Sequence, residues 1–130
     1  MIVIDASALV KVLVEKGSSA GALRKRLRGE TLAAPAHIDA EVLSVLRGLT
    51  MSGKLDVRPA EKSLGLLEVM PLTRAPLNVH LGRTWQLRNN YSAYDALYLA
   101  LAESLACPLV TSDARLAKSG GARCEIEVFS

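Results

Sequence analysis

Four acidic residues stand at the ends of short apolar segments or in the helices that follow them: Asp5, Glu41, Asp95 and Asp113. They are far apart in the sequence, but the edge of a parallel sheet could bring them together. Carboxylates gathered in one place repel each other, and their hard oxygen atoms suit Mg²⁺, with Mn²⁺ as a substitute. The sequence therefore predicts a divalent-cation site built from these four residues.

Three of these residues also have a simpler structural explanation. Asp5 and Asp113 could cap the helices that follow them, and Asp95 stands three residues after Ser92, at the spacing of a capping box. Capping does not exclude a role in chemistry.

Glu41 is harder to explain as a cap. It falls at the margin of an apolar helical stripe, close to Ile38 and Val45, where a carboxylate is costly unless it is paired or bound to a cation. Asp39 lies at the opposite margin of the same stripe. The periodicity does not choose between Asp39 and Glu41.

Other kinds of active site have little support. The chain has no glycine-rich loop ending in Lys-Ser or Lys-Thr, no dinucleotide fingerprint and no Gly-x-Ser-x-Gly motif. His37 and His80 lack partners at the spacing of zinc ligands, as do Cys107 and Cys124. We expect the histidines to be surface or partly buried polar residues and the cysteines to be small apolar ones.

Extended and helical patterns alternate along the chain. Strands are predicted at Ile2–Ile4, Thr31–Ala34, Val69–Thr73, Pro108–Thr111 and Ile126–Phe129. Among the helices predicted between them, one runs from Pro76 to about Arg88 and one from Ala93 to about Ala106. Short apolar strands with helical crossovers predict a three-layer α/β/α sandwich around a central parallel sheet of about five strands.

The composition indicates one domain, residues 1–130, because half of the residues are hydrophobic and this length supports one core. We expect a cytoplasmic protein, since the N-terminus lacks the apolar run of a signal peptide and no stretch approaches the ~20 apolar residues of a membrane span. The formal charge of +3 is a weak indication of a polyanionic partner. Basic residues crowd into one segment, Arg24, Lys25, Arg26 and Arg28, for which a solvated helix face is the simpler explanation.

Four segments carry a resemblance to a known family. Residues 2–9, Ile-Val-Ile-Asp-Ala-Ser-Ala-Leu, resemble the start of a PIN domain. Residues 35–42, 94–102 and 109–116 resemble its second, third and fourth motifs, in that order. The set spans essentially the whole chain and is most similar to the VapC toxins within that family. The second motif selects Glu41 over Asp39.

The resemblance implies a PIN-like fold and a metal-dependent endoribonuclease, the toxin component of a toxin–antitoxin pair, that cleaves transfer or ribosomal RNA with a metal-activated water. It implies a catalytic acidic cluster of Asp5, Glu41, Asp95 and Asp113, with Ser7 and Thr111 supporting it through hydrogen bonds. Asp5 and Asp95 would be the most direct metal ligands. The implied partners are the RNA substrate, a second copy of the chain in a homodimer, and a cognate antitoxin that covers the active site.

An acidic site repels RNA, so nearby cations must offset that repulsion. Arg115 follows Asp113 closely enough to help, and the basic segment Arg24–Arg28 could hold the RNA backbone. Among the few large aromatic residues, Tyr94 and Tyr98 have the spacing that is typical of core residues on a helix.

Three alternatives stay open. The chain could be a PIN nuclease that processes RNA without an antitoxin. It could be a PIN fold that only binds a partner, although it retains all four acidic residues. It could also be a receiver-like regulatory domain, but that site needs paired acidic residues after the first strand, and here Ala6 follows Asp5.

Overall fold

The chain forms a single sheet of five short strands. They are β1 (Ile2–Ile4), β2 (Leu32–Pro35), β3 (Leu72–Ala75), β4 (Leu109–Thr111) and β5 (Ile126–Val128). The computed structural model describes all residues from Met1 to Ser130. Every strand pairing is parallel, and the order across the sheet is β3-β2-β1-β4-β5. The central strand β1 is apolar throughout because all its side chains are buried.

Helices cover both faces of this sheet. They are α1 (Ala6–Val14), α2 (Ser18–Leu27), α3 (Ile38–Met51), α4 (Val57–Val69), α5 (Leu81–Gln86), α6 (Ala93–Leu105) and α7 (Arg115–Lys118). Helices α1 to α4 contact one another, whereas α5 contacts α6, which packs on β1 and β2 from the other side. The predicted three-layer sandwich with five parallel strands is therefore confirmed. None of the helices combines the length and the apolar composition needed to cross a bilayer.

The direction of the strand connections reverses beside β1. The chain passes from β1 to β2 and β3 on one side, and then returns through α5 and α6 to β4 on the other side. Such a reversal opens a crevice outside the carboxyl ends of the two central strands. The order also differs from the 2-1-3-4-5 order of receiver domains, so the receiver-like alternative is wrong.

The third strand begins three residues later than predicted. Helix α4 continues through Val69, and Pro71 then prevents further helix because its ring removes a backbone donor. The strand consequently runs from Leu72 to Ala75, where Pro76 follows it.

The predicted helix from Pro76 to about Arg88 is divided in two. A 3₁₀ turn at Leu77–His80 precedes α5, and His80 leaves the helical region between them, with φ −120° and ψ 20°. No residue of either piece is buried. A regular helix is maintained mainly by packing of an apolar face, and neither piece buries such a face.

Candidate active site

A cleft of about 260 Å³ lies at the carboxyl ends of β1 and β4. Its lining residues are Asp5, Ala6, Ser7, Glu41, Ser44, Val45, Asp95, Tyr98 and Asp113. The structure thus brings all four predicted acidic residues to one place, from segments next to β1 and β4 and from α3 and α6. No lysine or arginine lines the cleft, so the four carboxylates dominate its charge.

Asp5 is the most deeply placed of the four carboxylates, with 5% of the residue exposed. It caps α1, because the Ala8 N–H donates to Asp5 Oδ1 at 2.9 Å. The Ser7 hydroxyl donates to the same oxygen at 2.7 Å, and the Thr111 hydroxyl donates to Asp5 Oδ2. Burial raises the pKa of Asp5, and repulsion from Asp95 raises it further. The hydrogen bonds lower it by less, so the pKa lies above its usual value. Asp5 is therefore a cap and a member of the acidic cluster at once.

Ser7 and Thr111 also connect the two loops that form the cleft. The Ser112 N–H donates to Ser7 Oγ, and the Asp113 N–H donates to Thr111 Oγ1, each at 3.0 Å. The two hydroxyls thereby hold the loop after β4 against the start of α1. The role that the resemblance implied for Ser7 and Thr111 in supporting a catalytic cluster stays a prediction.

Glu41 enters the cleft from α3. The Tyr98 hydroxyl donates to Glu41 Oε1 at 2.7 Å, and His37 Nε2 lies 3.1 Å from the same oxygen. Burial raises the pKa of Glu41, but the hydrogen bonds from His37 and Tyr98 outweigh it, so the pKa is lowered. The carboxylate is thus kept ionised beside three others.

Asp39 points away from the cleft. Its carboxylate forms a two-bond salt bridge with Arg74 of β3, at 2.6 and 2.9 Å. The structure therefore decides the choice that periodicity left open, in favour of Glu41.

Asp95 and Asp113 have opposite electrostatic environments. The Ser92 hydroxyl caps α6 by accepting a hydrogen bond from the Asp95 N–H at 3.2 Å. Burial and repulsion from Glu41 and Asp113 raise the pKa of the Asp95 side chain. Arg115 Nη2 lies 2.7 Å from Asp113 Oδ2 and holds the pKa of that carboxyl below its usual range. Arg115 is the one predicted RNA-contacting residue that the structure brings beside the acidic cluster.

The other predicted RNA-contacting residues do not lie at the cleft. Arg26 contacts Glu30 and Glu127, and Glu30 in turn binds the N-terminal amine of Met1 at 3.0 Å. Because Met1 precedes β1, these contacts place the end of α2 at the amino edge of the sheet, opposite the cleft. The guanidinium of Arg24 donates hydrogen bonds to the main-chain oxygens of Val12 and Glu15.

In the basic segment, Arg24, Lys25 and Arg28 are exposed and Arg26 is partly buried, and only Lys25 and Arg28 make no side-chain contact described above. The predicted contact of this segment with RNA stays a prediction.

His37 and Tyr98 are site residues that the sequence analysis did not assign. Tyr98 is buried, as its helical spacing predicted, but its hydroxyl reaches Glu41. Tyr94 was expected in the core and is 64% exposed, because it lies in the first turn of α6, ahead of the stretch that packs on the sheet. Tyr98 stands three residues after Asp95, and His37 four before Glu41. These spacings place each beside an acidic residue on one helix face.

The carboxylates share a cleft without forming a closed ligand set. As the side chains stand, no three histidine, cysteine, aspartate or glutamate residues are placed to hold a metal ion. Four acidic side chains in one cleft, with burial and repulsion raising the pKa of two of them, form a site that would gain from a bound cation.

Comparison with known proteins shows the family of this chain. A family model described as PIN domain matches residues 2–121. The chain is 40% identical to VapC ribonuclease Mb0985 of Mycobacterium bovis over 128 residues, which is 98% of each chain. It is 42% identical to Ribonuclease VapC1 of Mycobacterium tuberculosis, over 97% of this chain and 96% of the relative. The chain belongs to the PIN-domain family, in its VapC group.

Solved structures show the same fold for this PIN domain. PAE2754 from Pyrobaculum aerophilum superposes with a TM-score of 0.70 at 26% identity, covering 98% of this chain and 83% of that one. Mycobacterium tuberculosis VapC20, described as a sarcin-ricin loop cleaving toxin, superposes with a TM-score of 0.68 at 13% identity, covering 92% and 95%. At that identity the second likeness concerns the fold alone.

Proposed function

We propose that this PIN domain is a metal-dependent endoribonuclease, the toxin of a toxin–antitoxin pair, acting on transfer or ribosomal RNA. The observation that carries the proposal is the convergence of Asp5, Glu41, Asp95 and Asp113 on one cleft that no lysine or arginine lines. The names of relatives with 40% identity over nearly the whole chain support the ribonuclease assignment.

The donors of the cleft fit a hard divalent cation. All of them are oxygens, from the four carboxylates and from the hydroxyls of Ser7, Ser44 and Tyr98, and Mg²⁺ and Mn²⁺ prefer oxygen ligands. Asp5 and Asp95 are the most direct candidates. Burial raises the pKa of each, and repulsion adds to it, from Asp95 in the case of Asp5 and from Glu41 and Asp113 in the case of Asp95. A cation would relieve that repulsion and draw together carboxylates that now stand apart.

When bound, Mg²⁺ supplies Lewis-acid activation of water and of the phosphodiester. The protein supplies orientation. Asp5 is held by donors from Ser7, Ala8 and Thr111 and cannot rotate freely. Arg115 has 86% of its side chain exposed, so its guanidinium can leave Asp113 and contact a phosphate. Hydrolysis by water would leave a 5′-phosphate and a 3′-hydroxyl.

The partner proposals rest on the same site. A cognate antitoxin would cover the cleft and present an arginine to the carboxylates, because they have no buried cation of their own. A homodimer is supported by the apolar side chains of Val79, Leu81 and Trp85, which are 65%, 60% and 67% exposed. We place the protein in the cytoplasm, where its RNA substrates are found.

The test is cleavage of total cellular RNA by the purified, antitoxin-free protein with Mg²⁺, with Mn²⁺ and with EDTA. Asp5→Asn protein is the inactive control. Discrete fragments with 5′-phosphate ends, formed only with metal and only by the native protein, are the expected result. Cleavage that survives EDTA, or that Asp5→Asn retains, would overturn the proposed site. Addition of the product of a neighbouring antitoxin gene should stop cleavage.

A further inference from the structure

We propose that Tyr98 and His37 are positioning residues for Glu41, which hold its Oε1 atom and leave Oε2 free to bind a metal ion. This inference rests on the proposed function and goes beyond the four acidic residues. Both contacts to the carboxylate are made at Oε1, by the Tyr98 hydroxyl at 2.7 Å and by His37 Nε2 at 3.1 Å. Two donors on one oxygen set the orientation of the whole carboxylate group.

Tyr98 holds Glu41 from the opposite side of the sheet. Tyr98 lies in α6, which packs on β1 and β2, and Glu41 lies in α3, which packs with α1 and α4 on the other face. The tyrosine is 1% exposed, so its ring is fixed by packing and its hydroxyl has a defined position. A rigid donor of this kind is well suited to keep a flexible side chain in place.

The position of His37 fits the same role. Its Nε2 lies 3.1 Å from Glu41 Oε1 and 3.2 Å from the carbonyl oxygen of Tyr94. Both neighbours only accept hydrogen bonds, so Nε2 carries the hydrogen and donates. Nδ1 is buried without any partner, which is costly for a polar atom. The imidazole ring therefore donates to Glu41 and packs on Tyr98, with 4.8 Å between the ring centroids. It holds this position although Nδ1 has no hydrogen-bond partner there.

Glu41 needs such support more than Asp5 and Asp113 do. Its side chain has one more rotatable bond than an aspartate, and it is repelled by Asp95. Asp5 is held by three donors, and Asp113 by Arg115. Without Tyr98 and His37, the Glu41 carboxylate would turn toward solvent and leave the cleft.

The experiment measures Mn²⁺ binding by the metal-free full chain, with electron paramagnetic resonance of the free ion. Tyr98→Phe removes one hydroxyl and keeps the ring, and His37→Ala removes the second donor. Tyr91→Phe is the matched control, because Tyr91 is also buried but donates to the carbonyl oxygen of Leu116, at 2.9 Å. We expect Tyr98→Phe and His37→Ala each to weaken Mn²⁺ binding about tenfold or more. Tyr91→Phe should bind as the native chain does.

Two further readouts separate positioning from a general structural role. His37→Gln restores a donor near Nε2 and should recover part of the lost affinity. RNA cleavage by Tyr98→Phe should return toward the native rate as Mn²⁺ is raised, with the KM for RNA unchanged. If Tyr98→Phe fails to fold, the His37 pair of variants decides the question.

Native Mn²⁺ affinity in folded Tyr98→Phe and His37→Ala would overturn the positioning role and leave the proposed nuclease standing. Loss of cleavage that added Mn²⁺ does not restore would also overturn it. A native chain that neither binds Mn²⁺ nor cleaves RNA would overturn the proposed function, and the positioning role with it.

Discussion

Thr111 and Asp5 stand 106 residues apart and meet in a buried hydrogen bond, in which the Thr111 hydroxyl donates to Asp5 Oδ2. The bond continues the parallel register of β1 and β4, where Ile4 lies opposite Val110. It therefore joins the two central strands at the point where the connections of the sheet reverse. The deepest carboxylate of the cleft is oriented by this contact and by Ser7 before any ligand binds.

Thr111→Val should destabilise the protein by about 1–3 kcal/mol, because a buried carboxylate oxygen loses its donor while the shape of the side chain is kept. Urea unfolding with EDTA present measures this. Thr111→Ser keeps the hydroxyl and should lose less, through its missing methyl group alone. Equal stability of the native and valine proteins would mean that the hydroxyl contributes nothing to the site.

Asp95→Asn should abolish RNA cleavage while the protein stays folded. The metal-free protein should become more stable, since burial and repulsion from Glu41 and Asp113 disfavour the charged form of Asp95 and raise its pKa. The gain should be less than about 1 kcal/mol, because the charges are partly solvated. Asp39→Asn is the matched control: it breaks the salt bridge to Arg74 and should lower stability while cleavage continues. Thermal unfolding and an RNA assay on both variants test the pair.

The pH dependence of metal-free stability should carry the signature of Asp5. Because burial raises its folded pKa above the unfolded value of 3.8, the folded state binds the proton more tightly. The stability of the native chain relative to Asp5→Asn should therefore increase as pH falls through the folded pKa toward the unfolded one. Thermal unfolding of both proteins in EDTA between pH 4 and pH 8 measures that difference.

Glu103 supplies the control of opposite sign. Burial raises its pKa, but Arg83 and the Arg123 N–H outweigh that effect and hold the pKa below 4.5. Its contribution to stability is thus present above the unfolded pKa and lost as pH falls through the folded one. If Asp5→Asn and Glu103→Gln shift the pH profile in the same direction, the electrostatic assignment of Asp5 is wrong.

A divalent cation should stabilise the native chain. Mn²⁺ at 100 times its Kd should add about 2.7 kcal/mol, because the ion binds only the folded cleft. Thermal unfolding with increasing Mn²⁺ measures this, and the shift should vanish in Asp5→Asn and Asp95→Asn. Asp39→Asn should keep it, since Asp39 lies outside the cleft. An undiminished shift in both cleft variants would place the ion elsewhere.

Arg115 should contribute to RNA cleavage more than the basic segment of α2 does. Arg115→Ala should lower kcat/KM for RNA, because the one cation next to the acidic cluster is lost. The double variant Lys25→Ala, Arg28→Ala should change the cleavage rate little, since both residues belong to a segment anchored at the opposite edge of the sheet. The cleavage rates of both variants are compared at several salt concentrations. A larger loss of rate in the double variant than in Arg115→Ala would mean that the RNA also contacts the opposite edge of the sheet.

The sequence alone determined the alternation of strands and helices and the position of acidic residues at strand ends. These features are local: a short apolar run suits a strand buried on both faces, and a proline, glycine or capping residue ends an element wherever the chain folds. The start of β3 has a local cause as well, because Pro71 prevents α4 from continuing and the strand then begins at Leu72.

Which side chains meet depends on the packing of the whole chain. Asp39 and Glu41 flank the same apolar stripe, but Asp39 binds Arg74 of β3, whereas Glu41 accepts from Tyr98 of α6. Arg26 likewise binds Glu127, 101 residues away. Such contacts depend on strand order and on which face each helix covers. Packing of the whole chain sets these, and local patterns do not encode them.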